Sequence, residues 1–218
     1  MPRPANPQTR ARLLDAALSV IRTQGYAATT VDDICRAAGL SKGSFFHHFA
    51  TKEDLAVGAA RHWAEVTGAL FAEADYHEPA DPLDRLLAYV DLRRRLIQGT
   101  LPELTCLVGT MAQEAYETSP AIRDACWASI HGHADTLVAD IQAALDARGM
   151  QPDWTAESLA LHTQAVIQGG FILAKASADA RHAIEAIDHL ERYIECLFGV
   201  RPPGGNGINE KTEEGTTP

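Results

Sequence analysis

The stretch GLSKGSFFHHFATKEDL, from Gly39 to Leu55, decides how the N-terminal part of the chain folds. Gly39 supplies a tight turn, because glycine adopts the left-handed backbone conformation readily. Ser41 then caps a short helix that ends near Phe49. Thr51 and Asp54 form a capping-box pattern that begins a long helix, which we expect to continue to about residue 74.

Two further helices are predicted before this stretch, in TRARLLDAALSVIRTQG and TVDDICRAAG. Gly25 follows the first as a C-cap, and Thr30 with Asp33 begins the second as a capping box. Each helix carries apolar residues at helical spacing: Leu14, Ala17, Leu18 and Ile21 in the first, and Val31, Ile34, Cys35 and Ala38 in the second. Three helices with a tight glycine turn between the second and third predict a helix-turn-helix.

The third helix has an apolar face and a polar face. Phe45 and Phe49 are four residues apart and should face the first two helices. The residues that then point outward suit the major groove of DNA, with a cation, a hydroxyl, a glycine for close approach and an aromatic ring: Lys42, Gly43, Ser44, Phe46 and His47. A structural alternative is a small three-helix subdomain whose polar face is merely solvated.

The block TTVDDICRAAGLSKGSFFHHFATKEDL closely resembles the N-terminal domain of the TetR/AcrR family of bacterial repressors, over roughly residues 10–60. The resemblance implies an all-helical homodimer with one DNA-binding domain per subunit and a larger C-terminal domain that binds an inducer. The family usually has Tyr where Phe46 stands, so one phosphate hydrogen bond is in doubt. Matching positions give DNA contacts to Thr30, Lys42, Gly43, Ser44, Phe46, His47, His48 and Lys52.

Charge is distributed unevenly along the 218 residues, whose formal net charge is −10. Residues 1–54 hold seven Lys/Arg against five Asp/Glu, and residues 55–218 hold twelve against twenty-four. An N-terminal arm with Arg3, Arg10 and Arg12 could add phosphate or minor-groove contacts. The sequence offers neither a long apolar span nor a secretory signal, which favours a cytoplasmic protein without a membrane anchor.

The rest of the chain predicts five more helices, among them one over PELTCLVGTMAQEAYE and a long one that starts at Ser119-Pro120, so about nine in all. We expect a DNA-binding domain over residues 1–54, a ligand-binding and dimerisation domain over 55–200, and a disordered tail over 201–218. The resemblance implies that the last two helices form the dimer interface, to which the mid-helix pair Gly169 and Gly170 is suited. Ordinary packing within one chain is the alternative.

The segment TCLVGTMAQE around Cys106 resembles a branch of the family that includes the NemR-like and AcuR-like regulators of reactive or unsaturated small molecules. Cys106 is therefore a candidate sensing thiol, with Lys175 as a partner that would favour the thiolate. The alternative is a small buried hydrophobe. Reversible binding of an organic ligand remains open, with candidate pocket residues Trp63, Phe71, Met111, Trp127, His131, His162, Gln168 and Phe171.

Other chemistries have weaker support in the sequence. His131 and His133 are two residues apart and do not share a helix face, so they make a poor metal site. A thiol enzyme would need a base and an oxyanion site beside Cys106, and the chain has no motif for them. We therefore expect a DNA-binding regulator without cofactor, metal or enzymatic activity. The alternatives are an activator or dual regulator, and a helical interaction protein that does not bind DNA.

Overall fold

The computed structural model describes residues 7–200, and the predicted tail over 201–218 and Arg3 of the predicted arm lie outside the described residues. The described part is all-helical, as expected. A 3-10 turn at Asp75–His77 joins the fourth and fifth helices. The ten α-helices are α1 (Pro7–Gln24), α2 (Val31–Ala38), α3 (Lys42–His48), α4 (Lys52–Ala72), α5 (Pro82–Arg95), α6 (Leu101–Leu104), α7 (Leu107–Ala115), α8 (Pro120–Ala147), α9 (Ala156–Ser177) and α10 (Arg181–Leu197).

Most helix starts follow from local capping chemistry. Thr30 and Asp33 form the predicted capping box, in which the N–H of Asp33 donates to Thr30 Oγ1 and the N–H of Thr30 donates to the carboxylate. The hydrogen bonds from Thr30 hold the pKa of Asp33 down at about 2. Thr51 and Asp54 repeat the arrangement at α4, and Ser41 accepts the N–H of Ser44 at α3.

One predicted helix is divided in two. The apolar run PELTCLVGTMAQEAYE was expected to form a single helix, but Thr105 and Cys106 are extended and separate α6 from α7. Pro102 and the Thr100–Glu103 capping box start α6, and Arg22 of α1 donates a hydrogen bond to the carbonyl of Glu103. These tertiary contacts override the helical propensity of the run. Cys106 consequently caps α7 instead of lying inside a helix.

Two hydrophobic cores fill the described chain. The first, here the N-terminal core, contains Leu13, Ile34, Phe45 and Leu55 from α1–α4, and also Met111 from α7. The second, the C-terminal core, packs the end of α4 with α5, α8, α9 and α10. Helices α7 and α8 therefore belong to the packing of the helix-turn-helix, and the N-terminal core crosses the predicted boundary at residue 54.

Helices α9 and α10 pack closely along their length. A Cβ added to Gly170 would lie 3.2 Å from the backbone of Ala183, so the glycine lets the two helices approach. A Cβ at Gly169 would meet open space, and Ile172 and Leu173 on the same helix are exposed. None of the helices in residues 7–200 is both long and apolar enough to cross a membrane.

Candidate functional site

The structure places α3 on the surface, with its two faces divided as the sequence predicts. Phe45 is fully buried and Phe49 nearly so, and their rings lie 5.9 Å apart between centroids. Phe46 is 55% exposed, and Lys42, Gly43 and His47 are exposed beside it. The outer face of α3 therefore presents a lysine, a glycine and two aromatic rings to solvent.

The two lysines of the predicted DNA face differ in their surroundings. Lys42 Nζ lies 2.9 Å from the carboxylate of Asp32, and both side chains are exposed. Hydrogen bonding to Asp32 raises the pKa of Lys42. Lys52 Nζ instead donates to the carbonyls of Tyr26 and Thr29, at 3.1 and 2.9 Å, and lies over the Tyr26 ring. Because an ammonium has three N–H donors, one donor of Lys52 remains for a phosphate.

Several of the other residues predicted to contact DNA already make contacts within the protein. Thr30 Oγ1 accepts the N–H of Asp33 and donates to its carboxylate, so that hydroxyl serves the helix cap. Ser44 and His48 are partly buried, and burial, followed by the neighbouring His47 and Arg10, lowers the pKa of His48. Of the basic arm, Arg10 lies over the Phe49 ring and Arg12 donates to the carbonyl of Ala38.

A cavity of about 200 Å³ lies in the second half of the molecule, enclosed by α4, α5, α8 and α9 and by the segment that contains α6. Five of the predicted pocket residues line it: Trp63, Phe71, Cys106, Gln168 and Phe171. Leu70, Ile97, Leu104 and Val108 add aliphatic surface beside the aromatic rings, and more of the lining surface is apolar than polar, so the interior suits an organic molecule more than a hydrated ion.

The other predicted ligand residues are not at the cavity. Met111 is buried in the N-terminal core. Trp127 is exposed and packs on His131, which pairs with Asp135. His162 is exposed and stacks on Tyr193. Their helices turn these side chains away from the cavity, so the structure does not bring them together with the five that line it.

Polar side chains that sequence reasoning missed also line the cavity, above all Arg93, His133 and Gln164. Gln164 Nε2 donates to the Tyr89 hydroxyl at 3.0 Å, and that hydroxyl lies 2.9 Å from Nε2 of His133. Burial lowers the pKa of His133 to about 3, so its imidazole is neutral near pH 7. Arg93 lies over the Phe71 ring, 5.3 Å from its centroid.

A signal for these residues was present in the sequence. Arg93 lies three positions after Val90 on the apolar stripe of α5, and His133 lies three positions after Ile130 on that of α8. Gln164 lies three positions before Ile167 on α9. A polar residue at helical spacing within an apolar stripe faces the interior, where it needs a partner.

Cys106 and Lys175 are near each other but not in direct contact. Lys175 Nζ donates to Thr110 Oγ1 at 2.8 Å, and that hydroxyl donates to the carbonyl of Cys106 at 3.0 Å. Burial lowers the pKa of Lys175. Cys106 is partly buried at the cavity. Cys35 and Cys126 are buried, and burial raises the pKa of the Cys35 and Cys126 thiols.

The exposed helix-turn-helix and the separate cavity define a class of ligand-regulated DNA-binding proteins, and comparison with known proteins agrees. Residues 13–59 match the family model described as bacterial regulatory proteins, tetR family. Residues 82–190, half of the chain, match the model described as Tetracyclin repressor-like, C-terminal domain. The chain therefore belongs to the TetR family of bacterial transcriptional regulators.

Similar proteins extend over most of the chain. The HTH-type transcriptional regulator AcrR of Shigella flexneri is 27% identical over 215 residues, covering 91% of this chain and 95% of the relative. A TetR-family regulator from Agrobacterium tumefaciens has a TM-score of 0.73 at 27% identity, covering 86% of this chain and 98% of that structure. Reduced NemR of E. coli shares the fold, with a TM-score of 0.68 at 22% identity over 84% of this chain and 96% of NemR.

Proposed function

We propose that this chain is a homodimeric repressor that a small molecule releases from its DNA operator in the cytoplasm. One observation carries the proposal: α4 connects the DNA face with the cavity. Its first residue, Lys52, holds the carbonyls of Tyr26 and Thr29 in the helix-turn-helix. Its second half supplies Trp63 and Phe71 to the cavity wall. A ligand that moves α4 therefore moves the DNA-reading helix.

The outer face of α3 is proposed to read the major groove, with Lys42, Gly43, Ser44, Phe46 and His47 nearest the bases and backbone. His48, Thr30 and Lys52 lie at its edges. A dimer presents two such helices to successive grooves, about 34–36 Å apart, so a palindromic operator is expected. Two copies also double the limited positive charge of one domain.

Helices α9 and α10 are proposed to form the dimer interface. Ile172 and Leu173 of α9 and Tyr193 of α10 expose apolar surface, and Leu173 is 56% exposed. The open side of Gly169 leaves room for the backbone of a second copy. Leu173→Glu should yield monomers by light scattering, whereas Val66→Glu, at an exposed apolar residue of α4, should remain dimeric. A dimeric Leu173→Glu variant would contradict this interface.

Release requires the ligand to favour one of two conformations. A ligand that binds the DNA-free form better shifts the equilibrium by the difference in its binding free energy, and coupling is typically about 1–3 kcal/mol. Movement of α4 would change the separation of the two α3 helices, which a rigid operator tolerates poorly.

Modification of Cys106 is a second route to release, because this residue lines the cavity and occupies the N-cap position of α7. The deciding experiment is a mobility shift on DNA upstream of the protein's own gene, with and without N-ethylmaleimide. Wild type, Cys106→Ser and Cys196→Ser, a control on α10 that does not line the cavity, are compared. Release of wild type and Cys196→Ser but not Cys106→Ser supports thiol sensing.

Three other outcomes are informative. Retention of all three proteins on DNA would exclude thiol sensing and leave reversible ligands, and release of all three would point to another thiol. Failure of wild type to bind any upstream fragment would refute the repressor proposal and favour an interaction protein. Run-off transcription on a bound fragment then separates repression, in which transcript falls, from activation, in which it rises.

A further inference from the structure

Three consecutive arginines end α5, and the first differs from the other two. Arg94 pairs with Asp91 and Asp188, and Arg95 pairs with Asp75 and Asp91. Arg93 forms no ion pair with any carboxylate of residues 7–200. Its guanidinium lies against Phe71 and lines the cavity. A cation facing a mostly apolar interior without a protein counter-ion is a site for an anionic group.

His133 is beside the same ring, and its hydrogen bonds fix which nitrogen carries the proton. The Phe71 and His133 rings are 4.5 Å apart between centroids. The Tyr89 hydroxyl accepts the amide N–H of Gln164 and has no other acceptor for its own proton among residues 7–200, so we infer that it donates this proton to Nε2 of His133. The neutral imidazole therefore carries its proton on Nδ1, where it is a donor. Burial and the charge of Arg93 both keep the ring neutral.

The cavity also limits the size of its ligand and favours a ligand with an apolar part. Its volume of about 200 Å³ is below the ~300–1,000 Å³ typical of sites for drug-sized ligands. Phe71 and Phe171 supply apolar walls. The Glu103 carboxylate also lines the cavity, but it accepts the N–H and hydroxyl of Thr100, each at 2.7 Å, and so belongs to the cap of α6.

We propose that the cavity binds a small organic acid, whose carboxylate accepts hydrogen bonds from Arg93 and from Nδ1 of His133 and whose apolar body packs against Phe71 and Phe171. This inference rests on the proposed function because it takes the cavity as the effector site. Arginine offers a planar pair of N–H donors that matches a carboxylate. The uncharged remainder of the ligand gains by leaving water.

Calorimetric titration of the full-length dimer without DNA tests the inference. The probes are 3-phenylpropionate and hexanoate, each compared with its neutral primary amide, and inorganic phosphate. We expect both carboxylates to bind at least tenfold more tightly than their amides, and phosphate not to bind. Equal binding of acid and amide, tight binding of phosphate, or no binding of either acid would overturn the proposal.

Two variants locate the binding. Arg93→Gln should weaken carboxylate binding by about ten- to a hundredfold and leave amide binding within about twofold, as expected for loss of a charge-assisted hydrogen bond. Arg95→Gln is the matched control, because it makes the same substitution on the same helix at a residue that forms two exposed ion pairs. This variant should bind both probes like wild type. Equal loss of acid and amide binding in Arg93→Gln would mean general damage to the cavity and would overturn the assignment of the carboxylate to Arg93.

The wild-type preference for acid over amide requires no variant to fold, so the inference can be tested even if Arg93→Gln is unstable. The two proposals fail differently. A protein that binds upstream DNA but prefers no acid refutes the ligand class alone. A protein that binds the acids but no upstream DNA refutes the repressor proposal and leaves an acid-binding cavity.

Discussion

Arg22, in the last turn of α1, donates from Nη1 to the backbone carbonyl of Glu103 at 3.0 Å. Its guanidinium also lies 5.2 Å from the ring centroid of Trp63. Glu103 and Trp63 both line the cavity, so a side chain of the helix-turn-helix domain contacts two parts of the cavity wall. This is a second connection between the two sites, beside the continuous helix α4.

Arg22→Met should weaken the coupling between effector and DNA, because methionine keeps the apolar stem and loses the hydrogen bond. The ratio of DNA dissociation constants with and without effector should fall by about two- to tenfold, a range typical of mutations between coupled sites. Fluorescence anisotropy with 3-phenylpropionate or N-ethylmaleimide as effector measures it. Arg181→Met, at the exposed start of α10, is the control. An unchanged ratio in Arg22→Met would exclude this connection.

The two lysines of the DNA face should respond differently to removal. Lys42→Ala should reduce the slope of log K against log salt by about 0.9 for each lysine lost, with little effect on stability, because its pair with Asp32 is exposed. Lys52→Ala should reduce the slope and also lower the melting temperature, because two carbonyls lose their donor. An unchanged slope for either variant removes that lysine from the phosphate contacts.

The four cysteines should react with N-ethylmaleimide in two groups. Cys35 and Cys126 are buried, and burial followed by the nearby Cys106 raises the pKa of Cys126 to about 12, so little thiolate forms at pH 7.5. Cys106 borders the cavity and Cys196 is exposed within one subunit, so both should be labelled before the two buried thiols, Cys196 more slowly where the proposed α9–α10 interface covers it. Peptide mass spectrometry over time measures this, with urea-unfolded protein as the control. Early labelling of Cys126 would be incompatible with its placement.

His133 should make stability depend on pH. Its pKa is about 3 in the folded protein against an ordinary value of 6.5, so the unfolded chain binds the extra proton between these values. Stability therefore falls as pH drops from 6.5 towards 3, by up to about 1.4 kcal/mol per pH unit for one proton. His133→Asn should flatten the curve in this range at fixed protein concentration. Parallel curves for His133→Asn and wild type would show that the histidine is not held neutral.

Local chemistry made the helix starts predictable. Thr30, Ser41, Thr51 and Ser119 each cap a helix through a side chain that reaches backbone N–H groups of the next turn, so neighbouring residues suffice. The break at Thr105 could not be predicted in this way, because Arg22 lies far away in sequence and supplies a contact at α6. Tertiary contacts decide such positions.

The residues that line the cavity also divide into those that the local sequence predicts and those that only the packing of distant segments reveals. Phe71 and Phe171 were among the predicted pocket residues, and both line the cavity. His131 was predicted and His133 was overlooked, although positions two apart on a helix point in widely different directions. Arg93 was overlooked despite its spacing from Val90, because two further arginines follow it directly and the structure shows that these pair with carboxylates.

Because α7 and α8 complete the N-terminal core, we expect that the DNA-reading unit does not fold autonomously. Leu107, Val108, Met111 and Ile122 cover side chains of α1–α4 that would otherwise face water. A fragment that ends at residue 54 would expose that surface. A chimera that joins residues 1–54 to another regulator would need complementary side chains at the positions that correspond to α7 and α8. A ligand that moved α7 or α8 would therefore act on the packing of the reading unit itself.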